Sequence, residues 1–396
     1  MKIIVSKNDL RKSLNLAQNV LGSSFDITSH FIFSLEDGVV KILSCEPPRL
    51  FSSVVLDGSK IEGNGQFTID GKKLLQVVNA TNDDDVLTIT YNSGVVKIKT
   101  SLGTLSFSSL DPKTFPSWLD FYAQAQQIKV IDTTTLSEAL NAVKPFISVD
   151  ETRRPELCQA VILNSGVCYA TDAFSICMVQ ADALKDFTLK VHFKDYPALI
   201  KFLKTYTGYD VTIKETDKSV FFECFDGGLL GIMKSPFEPF KVPNDYFSAF
   251  TWTPRRAWVF SKESINQAIN YLSAGADKGD LVMTFEHDEN SLSEPILKMD
   301  SASGDDDPLI VSLPTIQPQD NSEYPLKMYF DSINNEDKSS TLNTFKFNYL
   351  NLKKSIESLN SQIVLGANSE KSMGYILLRD VSNTGLNIAS IIAWVK

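Results

Sequence analysis

Apolar and polar positions follow two rhythms along this chain, and the rhythms alternate in the same order three times. A helical period opens each round, at residues 7–21 (KNDLRKSLNLAQNVL), 133–148 (TTTLSEALNAVKPFIS) and 261–274 (SKESINQAINYLSA), whose starts lie 126 and 128 residues apart. Leu10, Leu14, Ala17 and Leu21 form one stripe of the first helix, with Lys7, Arg11, Asn15 and Gln18 on another face. Leu136, Leu140, Val143 and Ile147 do the same in the second, where Pro145 is expected to kink or end the helix. Ile265, Ala268, Ile269 and Leu272 serve in the third. A second helical stretch follows in each round, at 70–81, 194–206 and 349–360, which is 63, 61 and 88 residues downstream. There Leu199, Ile200 and Leu203 alternate with Lys201 and Lys204, and Leu352, Ile356 and Leu359 with Lys353 and Lys354. Each of the six helices has one dry and one wet face, so each is expected to lie on a sheet.

Period-two sequence fills the remainder. After each second helix come strand-like runs: 85–91, 94–100 and 104–110, then 209–215, 219–225 and 229–234, then 362–366, 374–380 and 386–395. Their Gly, Asn and Asp turns favour antiparallel pairing over crossovers, so the fold class is α+β. The threefold repeat divides the 396 residues into domains at 1–125, 126–250 and 251–396, with boundaries near 122–127 and 250–254. The third round carries some 25 extra residues between its helices, which the acidic, turn-rich stretches 303–323 and 334–340 supply as loops.

Composition adds limits. Hydrophobic content of 43 % and charged content of 22 % are those of a globular protein able to bury cores, and 25 Phe suit packed sheets. No apolar run reaches the roughly 18 residues that span a bilayer. The opening MKIIVSKNDL lacks the apolar core of a signal peptide, so a cytoplasmic location is expected. Five cysteines without a C-x-x-C pair suggest buried, inert thiols in a reducing compartment, and three histidines leave little material for zinc.

Candidate chemistry is sparse. Asp83-Asp84-Asp85 and Asp305-Asp306-Asp307 could hold Mg²⁺ in a nuclease, but both runs fall in expected turns without a partner acid, as solvated loops do. No G-x-S-x-G, phosphate loop or dinucleotide fingerprint occurs, so no catalytic residue, metal or cofactor is expected. Charge is more telling. The chain carries 38 basic and 48 acidic residues, net −10, yet the six helical stretches sum to +6 and everything else to −16. Basic helices on an acidic body suggest one surface for phosphates, bound through the backbone and without sequence preference. The apolar end Ile391-Ile392-Ala393-Trp394-Val395 reads either as a last core strand or as part of a protein-docking pocket. A metal-dependent nuclease and a β-rich structural protein remain as alternatives to a DNA-binding reading.

Several segments carry a resemblance over essentially the whole chain: the opening MKIIVSKNDLRKSLNLAQNVL; the run from Leu105 through Asp111-Pro112 to Phe115-Pro116; Arg154-Pro155-Glu156-Leu157 followed by Ala170-Thr171-Asp172; and Lys241-Val242-Pro243-Asn244-Asp245-Tyr246. In order and spacing they resemble the bacterial DNA polymerase sliding clamp, the beta processivity subunit. The resemblance implies a DNA-clamp fold, and a head-to-tail homodimer whose helices line a hole around double-stranded DNA. It also implies a replicative DNA polymerase and a clamp loader as partners. Facing DNA would be Lys7, Arg11, Lys12, Lys72, Lys73, Lys144, Arg153, Arg154, Lys201, Lys204, Lys353 and Lys354. The partner-peptide pocket would fall on Leu157, Thr171, Ala173, Phe174, Ser175, Ile176, Pro243, Ser248, Ala249, Ile392, Ala393, Trp394 and Val395. The dimer interface would fall on Leu105 and Phe107 against Tyr271 or Leu272. Three departures stand out. Asp172-Ala173-Phe174-Ser175 replaces the family's Asp-Gly-His-Arg, Ile392–Lys396 replaces Met-Pro-Met-Arg-Leu, and Ser23-Ser24-Phe25 replaces a DNA-contacting Arg. Such divergence suits a phage or a remote bacterial lineage alike.

Overall fold

The computed structural model describes residues 1–22, 26–116, 118–242, 247, 256–274, 282–288, 296–299, 309–312, 342–359, 362–367, 375–380 and 386–393. Its contacts group into two units, 1–137 with 194–236, and 138–193 with 237–396. Seven helices are described: α1 (Lys7–Ala17), α2 (Gly71–Ala80), α3 (Trp118–Ala123), α4 (Thr133–Val143), α5 (Tyr196–Thr205), α6 (Lys262–Ala274) and α7 (Tyr349–Ser358).

Six of these are the helices that the apolar period predicts, with trimmed ends. α1 stops at Ala17 and tightens into a 3-10 turn, Gln18–Val20. α4 stops at Val143, and Pro145 sits in the 3-10 turn Lys144–Phe146 that follows, where a missing N–H costs nothing. Side-chain caps fix the starts: Ser6 accepts from the Asp9 amide at 3.1 Å, and Asp70 accepts from the Lys73 amide at 2.9 Å. α3 is the unexpected element, in a stretch that the sequence reading treats as a domain boundary. It forms because Trp118 is buried, stacked on Phe51 at 5.8 Å and edge-on to Phe221 at 6.3 Å.

Unit 1 holds two antiparallel sheets. The smaller orders its strands as Lys60–Glu62, Lys2–Ser6, Val86–Asn92, Val95–Thr100 and Gly103–Ser108. The larger runs Gln126–Asp132, Asp210–Glu215, Ser219–Cys224, Leu229–Met233, Leu50–Val55, Val39–Glu46, His30–Glu36 and Gly65–Asp70. Phe33 and Phe67, paired across neighbouring strands, stack at 5.2 Å with nearly parallel rings. In unit 2 the larger sheet runs Leu189–His192, Gln159–Leu163, Ser165–Thr171, Ser175–Lys185, Asn387–Ala393, Tyr375–Asp380, Gln362–Ala367 and Arg256–Ser261. The smaller runs Leu309–Ser312, Ile296–Met299, Val282–Asp288 and Leu342–Asn348. Antiparallel sheets with packed helices make the chain α+β.

One arrangement recurs three times in these orders. In each round the strand before the first helix is followed in the sheet by the three strands after the second helix, and four strands between the helices form a second block; in the first round a fifth, Lys60–Glu62, pairs with Lys2–Ser6 instead. Two junctions join blocks of successive rounds edge to edge. Leu50–Val55 pairs with Leu229–Met233, and Ser175–Lys185 pairs with Asn387–Ala393. The contact grouping therefore divides the expected second domain, 126–250, between the two units, because each of its blocks is hydrogen-bonded into a neighbour's sheet. The position 250 and the expected loops 303–323 and 334–340 lie outside the described residues, apart from Leu309–Ser312.

A second recurrence lies at the helix ends. The first residue of the first helix closes the C-terminus of the second helix in each round. Lys7 Nζ donates to the Thr81 carbonyl, Thr133 Oγ1 to the Tyr206 carbonyl at 2.7 Å, and Lys262 Nζ to the Leu359 carbonyl.

Candidate partner pocket and cationic helix faces

The turn Thr171–Ser175 is built almost entirely from its own side chains. Asp172 Oδ1 accepts from the Phe174 amide at 3.0 Å, the Ser175 amide at 2.8 Å and the Ser175 hydroxyl at 3.0 Å. Thr171 Oγ1 donates to the Ser175 carbonyl at 2.8 Å. The other Asp172 oxygen pairs with Lys354 Nζ at 2.9 Å, which fastens the turn to α7. With the Ala173 amide donating to Thr171 Oγ1 at 3.1 Å, five side-chain bonds in five residues make this loop rigid, and Phe174 stands at its tip, 68 % exposed. Ala173 holds φ of +77°.

Below the turn lies an apolar cluster of Val161, Val167, Tyr169, Ile176, Met178, Ala389 and Ile391, with Val242 and Phe247 packed against it. Tyr169 donates its hydroxyl to the Phe240 carbonyl at 2.8 Å, and burial pushes its phenol up to about 12. Of the expected pocket residues, Thr171, Ser175 and Ile176 are buried at this place, Ala173 and Phe174 are exposed above it, and Leu157 is buried in the 3-10 turn Pro155–Leu157. Ile392 pairs with Ser175 and Ala393 with Tyr375 in the last strand. Pro243, Ser248, Ala249, Trp394 and Val395 lie outside the described residues. Sequence reading passed over Asp172 and Lys354 as a pair. The D-x-x-S spacing of an Asx turn was the available signal for the turn, whereas nothing local marks the long-range partner.

The expected DNA-facing cations separate into distinct groups. Arg11 and Lys12 on α1 and Lys72 and Lys73 on α2 are exposed, on two helices packed against each other. Lys204 is exposed near the end of α5. Lys201 is half-buried; burial lowers its pKa, and its ammonium donates to Asn19 at 3.1 Å. In unit 2, Lys144 is exposed, Lys353 is half-buried, and Lys354 is committed to Asp172. Arg153 and Arg154 are exposed beside Asp150 at 3.8 Å and Glu156 at 2.7 Å respectively.

Lys7 is corrected. It is only 4 % exposed, because it stands at the start of α1 and its ammonium turns to the end of α2, where it also meets Asp83 at 2.7 Å. That bond holds the Asp83 carboxyl below the usual range and leaves Lys7 no face for a phosphate. Leu272 is corrected too: it is fully buried, in the same stripe as Ile265 and Ile269, so it cannot meet another chain. Tyr271 beside it is 67 % exposed and Leu105 51 % exposed, while Phe107 is half-buried.

Among the described residues, no three His, Cys, Asp or Glu side chains gather as a metal would need, and no helix is long and apolar enough to cross a membrane. Asp85 accepts from Ser101 in its turn, and the Asp305–Asp307 run lies outside the described residues. All five cysteines are buried and free. Burial pushes Cys45, Cys177 and Cys224 up to about 12 and Cys168 further, so thiolate chemistry is suppressed.

No family model matches the chain. A beta sliding clamp of Vibrio harveyi is 23 % identical over 142 residues, which cover 35 % of this chain and 97 % of that relative. Solved structures match end to end. The DNA polymerase III subunit beta of Pseudomonas aeruginosa is 15 % identical, with all of both chains covered and a TM-score of 0.76. The DNA polymerase sliding clamp of Bacillus subtilis is 16 % identical, covering 100 % of this chain and 99 % of its own, also at 0.76. The beta subunit of Thermotoga maritima DNA polymerase III is 15 % identical with the same coverage and TM-score. Sequence identity this low leaves the agreement to the strand orders and junctions described above, and over its whole length the chain has the fold of the bacterial beta sliding clamp, carried by a divergent sequence.

Proposed function

We propose that the protein is a non-enzymatic processivity clamp: a homodimeric ring that encloses duplex DNA, slides on it, and tethers a replicative DNA polymerase through a peptide pocket. The observation that carries this reading is the repeated edge-to-edge junction. Two such junctions are used inside the chain, and the corresponding strands left at sheet ends are Gly103–Ser108 and Leu309–Ser312. Among the described residues neither has an outer partner, and their faces expose Leu105 and Ile310 at 51 % and 52 %. Pairing Leu309–Ser312 of one copy with Gly103–Ser108 of the next would repeat the internal junction and bury an edge that otherwise invites uncontrolled pairing. A repeat with matched ends closes once the rotation per step completes a circle, and the clamp likeness supports two copies.

In such a ring the exposed cations Arg11, Lys12, Lys72, Lys73 and Lys204 would meet phosphates diffusely, which permits sliding because no register is favoured over the next. The exposed tip Ala173-Phe174 above the buried cluster, with the half-buried Val242 and Phe247 packed on that cluster, would receive an apolar peptide of the polymerase or of the clamp loader.

The test is retention on closed circular DNA after loading, measured before and after linearisation, with Mg²⁺ present. A topological ring stays on the circle and runs off the linear product. Retention unchanged by cutting defeats the clamp reading, and nicking of the circle by the protein alone would revive a nuclease.

A further inference from the structure

Unit 1 holds a cavity of about 180 Å³ between α1, along Asp9 to Leu16, and the C-terminal end of α5. Neither the DNA-facing cations as a group nor the peptide pocket accounts for it. Its rim carries two large aromatic side chains left in water, Phe225 at 71 % and Tyr209 at 54 % exposure. Their rings lie 4.6 Å apart, and Phe225 also stands edge-on to the buried Tyr206 at 6.5 Å. Two rings packed at a tilt of 33°, one of them also edge-on to a third, are held in place rather than free to turn inward, so their apolar area is presented outward.

The chemistry of the remaining lining selects an occupant. Asp226 is fixed from two sides, accepting from the Tyr206 hydroxyl at 3.1 Å and the Gly228 amide at 2.8 Å. Asp9 and Asp57 add two carboxylates, and Lys12 is the one cation of the lining, so the groove is net negative. Three carboxylates against one ammonium keep a phosphate backbone out of the groove itself, while Lys12, exposed on α1, can still reach a phosphate outside it. A purely apolar peptide would strip water from the carboxylates without compensation. The volume is below the roughly 300 Å³ where sites for drug-sized ligands begin, and suits a single inserted side chain. A guanidinium meets all three conditions. Its flat face stacks on aromatic rings, its edge bonds carboxylates in pairs, and it sheds water more readily than an ammonium.

We propose that this groove docks an arginine-bearing segment of a partner protein, at a site separate from the apolar pocket beneath Thr171–Ser175. The proposal does not depend on ring closure or on DNA, so it can fail while the clamp reading stands, and the reverse.

The probe is a rhodamine-labelled peptide, Ala-Leu-Arg-Leu-Ala, titrated against the full-length protein by fluorescence anisotropy, beside its citrulline analogue, which keeps the shape and removes the charge. Saturable binding is expected, weakened about tenfold or more by citrulline and to a similar extent by Phe225→Ala or Asp57→Asn, as losing a cation–π or charged contact requires. Glu36→Gln, an exposed acid on another strand, should change affinity less than twofold. Equal binding of the citrulline peptide overturns the proposal. So does unchanged affinity in both groove variants at unaltered melting temperature, or the lack of saturable binding at millimolar peptide. Should Phe225→Ala fail to fold, Asp57→Asn, at an exposed position, decides alone.

Discussion

Ala173 occupies a backbone region that a side chain makes costly, and it does so because the turn around it is over-determined by Asp172, Thr171 and Ser175. Ala173→Gly is therefore expected to stabilise the protein by about 1 kcal/mol in urea unfolding, since the native φ of +77° is one that glycine adopts freely. A loss of stability would mean that the methyl packs favourably enough to offset the strain. Asp195 presents the opposite situation, a buried carboxylate at the start of α5 paired with Arg49. Burial raises its pKa to about 6 against the pull of Arg49. A carboxyl raised in the folded state binds its proton more tightly there than in the unfolded chain. It contributes stability below the unfolded value of about 4, and that contribution is lost as pH rises through about 6. The wild-type protein should accordingly lose up to about 3 kcal/mol from this group between pH 4 and pH 7, and Asp195→Asn should remove that part of the pH dependence. Parallel stability–pH curves for the two proteins would show that Asp195 keeps an ordinary pKa.

At the scale of elements, α3 shows what sequence period can and cannot reveal. Six residues are too few for a helical stripe to declare itself, and the segment runs into the boundary expected near 122–127. Only the tertiary fact that Trp118 meets Phe51 and Phe221 makes the segment a helix and part of a core. Trp118→Ala should cost about 3–5 kcal/mol by leaving a cavity between two sheet blocks, a loss readable in thermal unfolding. The six longer helices were legible because each places three or four apolar residues on one face, and one of the two corrected residues follows from that same rule. Leu272 belongs to the stripe that buries Ile265 and Ile269, whereas Lys7 was hidden by a contact with Thr81 and Asp83 more than seventy positions away, which no local pattern encodes. Of the proposed pocket only the turn was legible: the motif around Thr171 marked it, but the ion pair of Asp172 with Lys354 depends on two rounds of the repeat meeting. Edge strands carry the next expectation. Leu105→Asp places a charge on the strand Gly103–Ser108 without touching a core, so it should convert the proposed dimer to monomer in light scattering while leaving the melting of the isolated chain nearly unchanged. A dimer that survives the substitution would assign closure to some other surface.

At the scale of the whole molecule, charge is distributed so that attraction is local and repulsion general. The chain is net −10, and four exposed cations, Arg11, Lys12, Lys72 and Lys73, gather on the packed pair α1 and α2. Elsewhere Lys354 is spent on Asp172, Arg154 on Glu156, and Lys7 on Asp83. In the proposed ring, an acidic exterior would keep DNA from binding outside, while a few open cations would suffice inside the enclosure, where DNA could not leave and strong grip would only slow sliding. The salt dependence of DNA association should follow the open cations rather than the total. Each of Arg11→Ala, Lys12→Ala, Lys72→Ala and Lys73→Ala should lower the slope of log affinity against log salt by about one. Lys354→Ala should leave the slope nearly unchanged, because its charge is already neutralised by Asp172. The measurement is association with a closed circle over a salt series. Equal slopes for all five variants would mean that the α1–α2 face does not look onto DNA at all, and the cationic helices would then need a different explanation from the one their charge suggests.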